Sequence, residues 1–243
     1  MSQNIYDDPE FFAGYSGLPR SVGGLASAPE WPALRAMLPD VRGLRIVDLG
    51  CGFGWFCRWA GEQGAAEVLG IDLSEKMLTR ARAETSDVAI DYLQADLSML
   101  ALEKARFDLA YSSLAIHYLA DVARLFAEVH AALTPGGHFI FSTEHPIFMA
   151  PRNPAWTRDA DGRPIWPLDS YFAEGERTTE WFTPGVTKYH RTIGTTLNAL
   201  IRAGFAIRHV EEFVPTSEQI AAQPEFAKER ERPMFLLVSA QRA

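Results

Sequence analysis

Arg45-Ile46-Val47-Asp48-Leu49-Gly50-Cys51-Gly52-Phe53-Gly54 is the stretch from which the rest of the chain can be read. Ile46, Val47 and Leu49 make the short apolar run of a buried strand, and the glycines after it force a tight turn. Trp55-Phe56-Cys57-Arg58-Trp59-Ala60 then has helical potential. A strand that passes through a glycine-rich turn into a helix cradles a nucleotide. Glycine tolerates positive φ, carries no side chain to keep a ligand away, and lets amide N–H groups face it. Asp48 lies in the strand end, and a second strand, Glu67-Val68-Leu69-Gly70-Ile71, ends in Asp72. A carboxylate at that place accepts two hydrogen bonds from a sugar diol.

The 243 residues suffice for one α/β domain with an insertion, and a hydrophobic content of 47% implies a sizeable core. No apolar run approaches the roughly 20 residues of a membrane helix. Met1 to Asp8 has neither the basic nor the apolar region of a signal peptide. The two cysteines, Cys51 and Cys57, sit on one turn and its helix, which reads as a reduced pair with no metal and a cytoplasmic location. A net charge of -8 argues against a nucleic-acid partner. The one basic run, Lys228-Glu229-Arg230-Glu231-Arg232, alternates in sign and reads as a solvated face.

Val47-Asp48-Leu49-Gly50-Cys51-Gly52-Phe53-Gly54 resembles the first signature motif of class I S-adenosylmethionine-dependent methyltransferases of the small-molecule type. A second segment agrees: Leu133-Thr134-Pro135-Gly136-Gly137 before the apolar strand His138 to Thr143 is similar to a turn of the same family. The resemblance implies a Rossmann-like, doubly wound α/β fold. Its seven-stranded, mostly parallel sheet would have the order 3-2-1-4-5-7-6, the last strand antiparallel, with helices on both faces. It also implies S-adenosyl-L-methionine as cofactor and S-adenosyl-L-homocysteine as product. Asp48, Gly50, Cys51 and Gly52 would line the cofactor. Asp72, followed by Leu73, would hold both ribose hydroxyls, and Asp96, followed by Leu97, would read adenine. Ser112 and His117, at and after the fourth strand, would complete that wall.

The remaining segments are organised around this frame. Residues 1–40 form an N-terminal helical cover, with Phe11, Phe12, Tyr15 and Leu18 on one face and a second helix between Trp31 and Leu38. The resemblance puts an aromatic or an arginine of such a cover near the methionine end, and Tyr15 and Arg20 are the candidates. A guanidinium holds a carboxylate with two parallel bonds. Residues 41–243 form the main domain. Ser74 and Asp121 are N-caps, and Val122, Leu125, Phe126, Val129 and Leu133 make one helical face. The 145–190 insertion is rich in proline and aromatics, too long for a simple connection, and reads as a substrate lid. A helix from Ile193, a strand from Phe205 to Val210, a short helix at Ser217 to Ala222 and a strand from Pro233 to Ala240 complete the chain.

Methyl transfer from a sulfonium is an in-line displacement, so the protein must align the nucleophile and exclude water. A base is needed only where the nucleophile carries a proton. Glu144 and His145, leaving the fifth strand, and His190 are the catalytic candidates. The segment Ser112-Ser113-Leu114-Ala115 lacks the motif of amino-directed DNA enzymes, which leaves a small organic acceptor with an N, O or C nucleophile. Two alternatives stand beside this reading: a nicotinamide-dependent Rossmann oxidoreductase, and a non-catalytic protein that binds the same cofactor. A monomer or homodimer fits either.

Overall fold

The computed structural model describes residues 2–243. Prolines open the first helices, α1 (Pro9–Ser16), α2 (Pro19–Gly23) and α3 (Trp31–Met37), where a missing N–H leaves no bond unmade. Asp8 caps α1 by accepting from the Glu10 and Phe11 amides. Then β1 (Arg45–Leu49), α4 (Trp55–Glu62), β2 (Glu67–Asp72), α5 (Glu75–Ala83) and β3 (Ile90–Gln94) build the first half. The second half has β4 (Phe107–Ser113), α6 (Val122–Ala132) and β5 (Leu133–Glu144). Ser74 and Asp121 cap α5 and α6, as expected.

The segment 145–190 is α7 (Pro146–Met149), β6 (Thr157–Arg158), β7 (Pro164–Ile165), β8 (Gly175–Trp181) and β9 (Thr183–His190). Its strands pair as two antiparallel hairpins, β6 with β7 and β8 with β9, separate from the main sheet. The chain closes with α8 (Ile193–Arg202), β10 (Phe205–Glu212), α9 (Ser217–Ala222) and β11 (Phe235–Arg242).

The main sheet has seven strands in the order β10-β11-β5-β4-β1-β2-β3. Counted within this sheet, that is the expected 3-2-1-4-5-7-6. All neighbours are parallel except β11, antiparallel to both β5 and β10. Successive residues send their side chains to opposite faces. Val47, Leu49, Phe139 and Phe141 therefore pack with α6 and α8, whereas Ile46, Leu109, Tyr111 and Ile140 pack with α3 and α4. Burial on both faces suits a parallel sheet. Two bounds differ from the sequence reading. The Leu133 to Gly137 turn is drawn into β5, because Phe107 of β4 pairs with Leu133. Likewise β11 starts at Phe235, two residues late, and runs on to Arg242 beside β10.

Candidate functional site

The carboxyl ends of β1, β2, β4 and β5, the N-terminal helices and the β8–β9 hairpin line one cavity of about 860 Å³. Small-molecule sites span roughly 300–1,000 Å³, and this one falls toward the large end of that range. Two glycines of the turn shape its floor. Gly50 has φ +78°, and a Cβ there would lie 2.3 Å from the Ala115 Cβ. Gly52 has φ +53°, and a Cβ there would meet no atom within 4 Å and would fill open space at the cavity edge.

The amides of this turn do not face outward as expected. Gly50 and Cys51 both donate to the Ile71 carbonyl, at 2.8 and 3.0 Å, and Gly52 donates to Asp72 at 2.8 Å. They tie the turn to the end of β2. What the turn offers a ligand is shape, together with a carboxylate fixed in place.

Three acidic side chains line this end of the cavity, each held differently. Asp72 accepts from the amides of Gly52 and Ser74, yet burial outweighs those bonds and raises its pKa. Asp48 is 2% exposed, takes the Cys57 thiol at 3.3 Å, and is pushed by burial to about 7. Asp96 goes the other way. Desolvation would raise it, but the amides of Ser2 and Ser98 and the Ser2 hydroxyl hold it below the usual range. Leu73, Leu97, Tyr15 and Arg20 also line the cavity. Arg20 gives its Nη2 to both oxygens of buried Glu30, at 2.8 and 2.9 Å; its other nitrogens make no hydrogen bond among the described residues.

At the opposite side Glu144 leaves β5 into the cavity. Its Oε1 is 2.5 Å from Lys188 Nζ, and its Oε2 is buried without a hydrogen-bond partner among the described residues. His117 accepts the Glu144 amide on Nδ1 at 3.5 Å, which leaves the proton on Nε2, 4.0 Å from Glu144 Oε1. Burial pushes His117 down to about 4, so its ring is neutral near pH 7. The hydroxyls of Tyr6 and Tyr118 meet at 3.0 Å, and Lys188 lies 4.9 Å from the Trp181 ring centre.

Three residues expected at the site do not line the cavity. His145 caps α7, accepting the Ile147 amide at 3.1 Å, and its other nitrogen bonds Glu212 at 2.9 Å. One ring nitrogen is spent on the turn and the other on β10. His190 is fully buried and donates to the Tyr171 carbonyl at 2.8 Å. Ser112 donates to the Leu49 carbonyl at 2.7 Å and so joins β4 to β1; Ser113, its neighbour, lines the cavity instead.

Lys188, Trp181, Tyr6, Tyr118 and Trp55 line the cavity and were not foreseen. Lys188 had a signal: Val186, Lys188 and His190 alternate onto the inner face of β9, where a lysine needs a partner.

The comparisons with known proteins agree with this architecture. Residues 47–141 match a methyltransferase domain family. A crystal structure of an S-adenosylmethionine-dependent methyltransferase from Mesorhizobium loti is 69% identical, with a TM-score of 0.88; the match covers 90% of this chain and all of that one. An uncharacterized protein of Haemophilus influenzae is 34% identical over 98% of this chain and 97% of its own length. A malonyl-acyl-carrier-protein O-methyltransferase of Enterobacter lignolyticus is 36% identical over 54% of this chain, and the match spans only 51% of that relative. The chain belongs to the class I S-adenosylmethionine-dependent methyltransferases. The nicotinamide alternative has no support among these relatives. No helix among the described residues is long and apolar enough to cross a membrane.

Proposed function

We propose that this protein binds S-adenosyl-L-methionine and moves its methyl group to an N, O or C nucleophile of a small organic acceptor, leaving S-adenosyl-L-homocysteine. The observation that carries the reading is one shared cavity, in which the carboxylates Asp48, Asp72 and Asp96 occupy one end and Glu144, His117, Lys188 and Trp181 the other. The open edge at Gly52 and the fixed Asp72 carboxylate fit an adenosine ribose. Arg20 and Tyr15 would meet the methionine end, and Asp96 the adenine. When bound, the cofactor supplies an electrophilic methyl on a sulfonium that departs as a neutral thioether.

The chain's own residues do the rest. The N-terminal cover, 1–40, and the insertion, 145–190, close over the cavity as a lid and exclude water. Phe11 meets Trp181 edge-on at 5.3 Å, and Tyr15 meets Trp181 at 6.1 Å, so the two parts touch above the site. Glu144, held by Lys188, stands where an acceptor's N–H or O–H can be aligned. Neutral His117 supports Glu144 through its backbone. His145 and His190 take no part, because neither lines the cavity: both nitrogens of His145 are bonded to Ile147 and Glu212, and His190 is held on the Tyr171 carbonyl. The protein works as a monomer or homodimer.

Calorimetric titration with S-adenosylmethionine, S-adenosylhomocysteine and NADH tests the cofactor. Binding of the first two alone supports the proposal, and failure of both overturns it. Product S-adenosylhomocysteine formed from an acceptor library separates an enzyme from a non-catalytic binder. Glu144→Gln is expected to keep cofactor affinity within about twofold and to lower turnover by about 100-fold or more.

A further inference from the structure

We infer that the cavity contains an anion subsite at Arg177, with Arg152 at its rim, and that the methyl acceptor therefore carries a carboxylate or phosphate group. The inference rests on the acceptor reading above and narrows it. Arg177 of β8 and Lys188 of β9 stand directly opposite each other in the hairpin register. Both are on the buried face, at 7% and 5% exposure, and both line the cavity. Like charges directly opposite on one face are unfavourable, and a buried charge needs a counter-charge. Lys188 has one in Glu144.

Arg177 forms no ion pair among the described residues. Its Nε donates to the Ala150 carbonyl at 3.1 Å and its Nη1 to the Glu176 carbonyl at 3.1 Å. Its Nη2 donates to the carbonyls of Ala173 and Ser170, at 2.7 and 3.4 Å. Neutral carbonyls satisfy its hydrogen bonds but leave its charge unmatched. They also fix the guanidinium plane and leave one Nη1 hydrogen unused, which suits an incoming oxyanion. Burial lowers the pKa of Arg177, and nearby Arg152 lowers it further.

Arg152 is exposed, lines the cavity and forms no ion pair among the described residues. The acidic groups nearby do not close the gap. Asp169 accepts the Arg152 amide at 3.3 Å and offsets Arg177 only from a distance, and Glu176 and Glu180 are exposed on β8. Arg232, a third cavity arginine, is buried with Glu229 and not on the solvated face expected of its run, and it is already matched: it pairs with Glu229 and lies 4.3 to 4.9 Å from the ring centres of Phe148, Trp156 and Trp166. Of the buried arginines and lysine at the cavity, Arg177 is the one with no ion pair among the described residues. An acceptor bearing an oxyanion would supply the missing charge and hold its nucleophile toward Glu144.

Titration of the full chain with inorganic phosphate and with malonate, against chloride at equal ionic strength, tests this. The titrations are run with saturating S-adenosylhomocysteine, which blocks the cofactor end, and repeated without it. Saturable binding of at least one anion to the loaded protein is expected. Arg177→Met should weaken it by about tenfold and Arg152→Met by about threefold. Tighter phosphate binding assigns a phosphate-bearing acceptor, and tighter malonate binding a carboxylate. If Arg177→Met does not fold, Arg152→Met, an exposed position, decides alone. No saturable binding of either anion, or unchanged affinity in a folded variant, overturns the subsite. Failure of S-adenosylhomocysteine to bind would instead overturn the cofactor reading, and the titrations without it would still report on Arg177.

Discussion

Asp48 and Asp72 sit at neighbouring strand ends, yet the fold uses them differently. Asp72 has two backbone N–H bonds to steady it, and a ribose diol would add two more, each a hydrogen bond to a charged group of roughly 1.5–3 kcal/mol. Asp72→Ala is therefore expected to weaken S-adenosylmethionine binding by at least about 100-fold in calorimetry; unchanged affinity would sink the ribose assignment. Asp48 has the Cys57 thiol and little else. Burial moves it from 3.8 to about 7, so ionising it costs on the order of 4 kcal/mol in the folded state. Between those two values the folded protein holds a proton that the unfolded chain has lost. Stability therefore falls as pH rises through that window, and the whole penalty is present above about 7. Asp48→Asn should match the parent near pH 4 and exceed it by up to about 4 kcal/mol at pH 8, read by urea unfolding without cofactor. An advantage independent of pH would place its cause elsewhere.

Among elements, the contact between α1 and the tip of the β8–β9 hairpin joins the two covering parts of the molecule. Phe182, at the tip with φ +59°, lies on Gly14 of α1, where an added Cβ would be 2.5 Å from its ring. Gly14→Ile must displace that ring. Overpacking of this kind costs roughly 1–3 kcal/mol, and the variant should bind cofactor about tenfold more weakly because the hairpin tip lifts. Hydrogen exchange should quicken in residues 175–190 and stay unchanged in β1 and β4; an unchanged hairpin would refute the coupling.

This contact also marks where sequence reading stopped. The β1 turn, Asp72 and the apolar face of α6 were legible because strand alternation, helical spacing and N-caps act within a few residues. The insertion was not legible, because hairpin register depends on cross-strand partners that no local pattern names, such as Arg177 opposite Lys188. In Glu144-His145-Pro146 it is His145 that misled, for a related reason. The sequence places all three at a strand end, but Pro146 opens α7 and turns His145 into its cap. Lys188, 44 positions further on, becomes the partner of Glu144.

At the scale of the whole molecule, the N-terminal residues, the β8–β9 hairpin and the strand ends bound one cavity from different sides. Ser2 bonds Asp96, Gln3 bonds the Gly185 carbonyl and the Thr187 amide, and Asp7 accepts the Ser74 hydroxyl at 2.6 Å. The first residues therefore bridge Asp96, the β9 strand and the start of α5. A ligand that fills the space beneath them would stabilise all three attachments at once, and would do so only in the folded state. At a concentration of 100 times its Kd, such a ligand adds about 2.7 kcal/mol. For a domain of this size that corresponds to a rise in Tm of roughly 5–10 °C. S-adenosylhomocysteine is expected to produce that rise and to slow hydrogen exchange in residues 2–18 and 175–190 together. Slowing confined to the β1 turn, with both covering segments unaffected, would mean that the ligand sits on the sheet edge alone and that the N-terminal helices and the hairpin do not close over it.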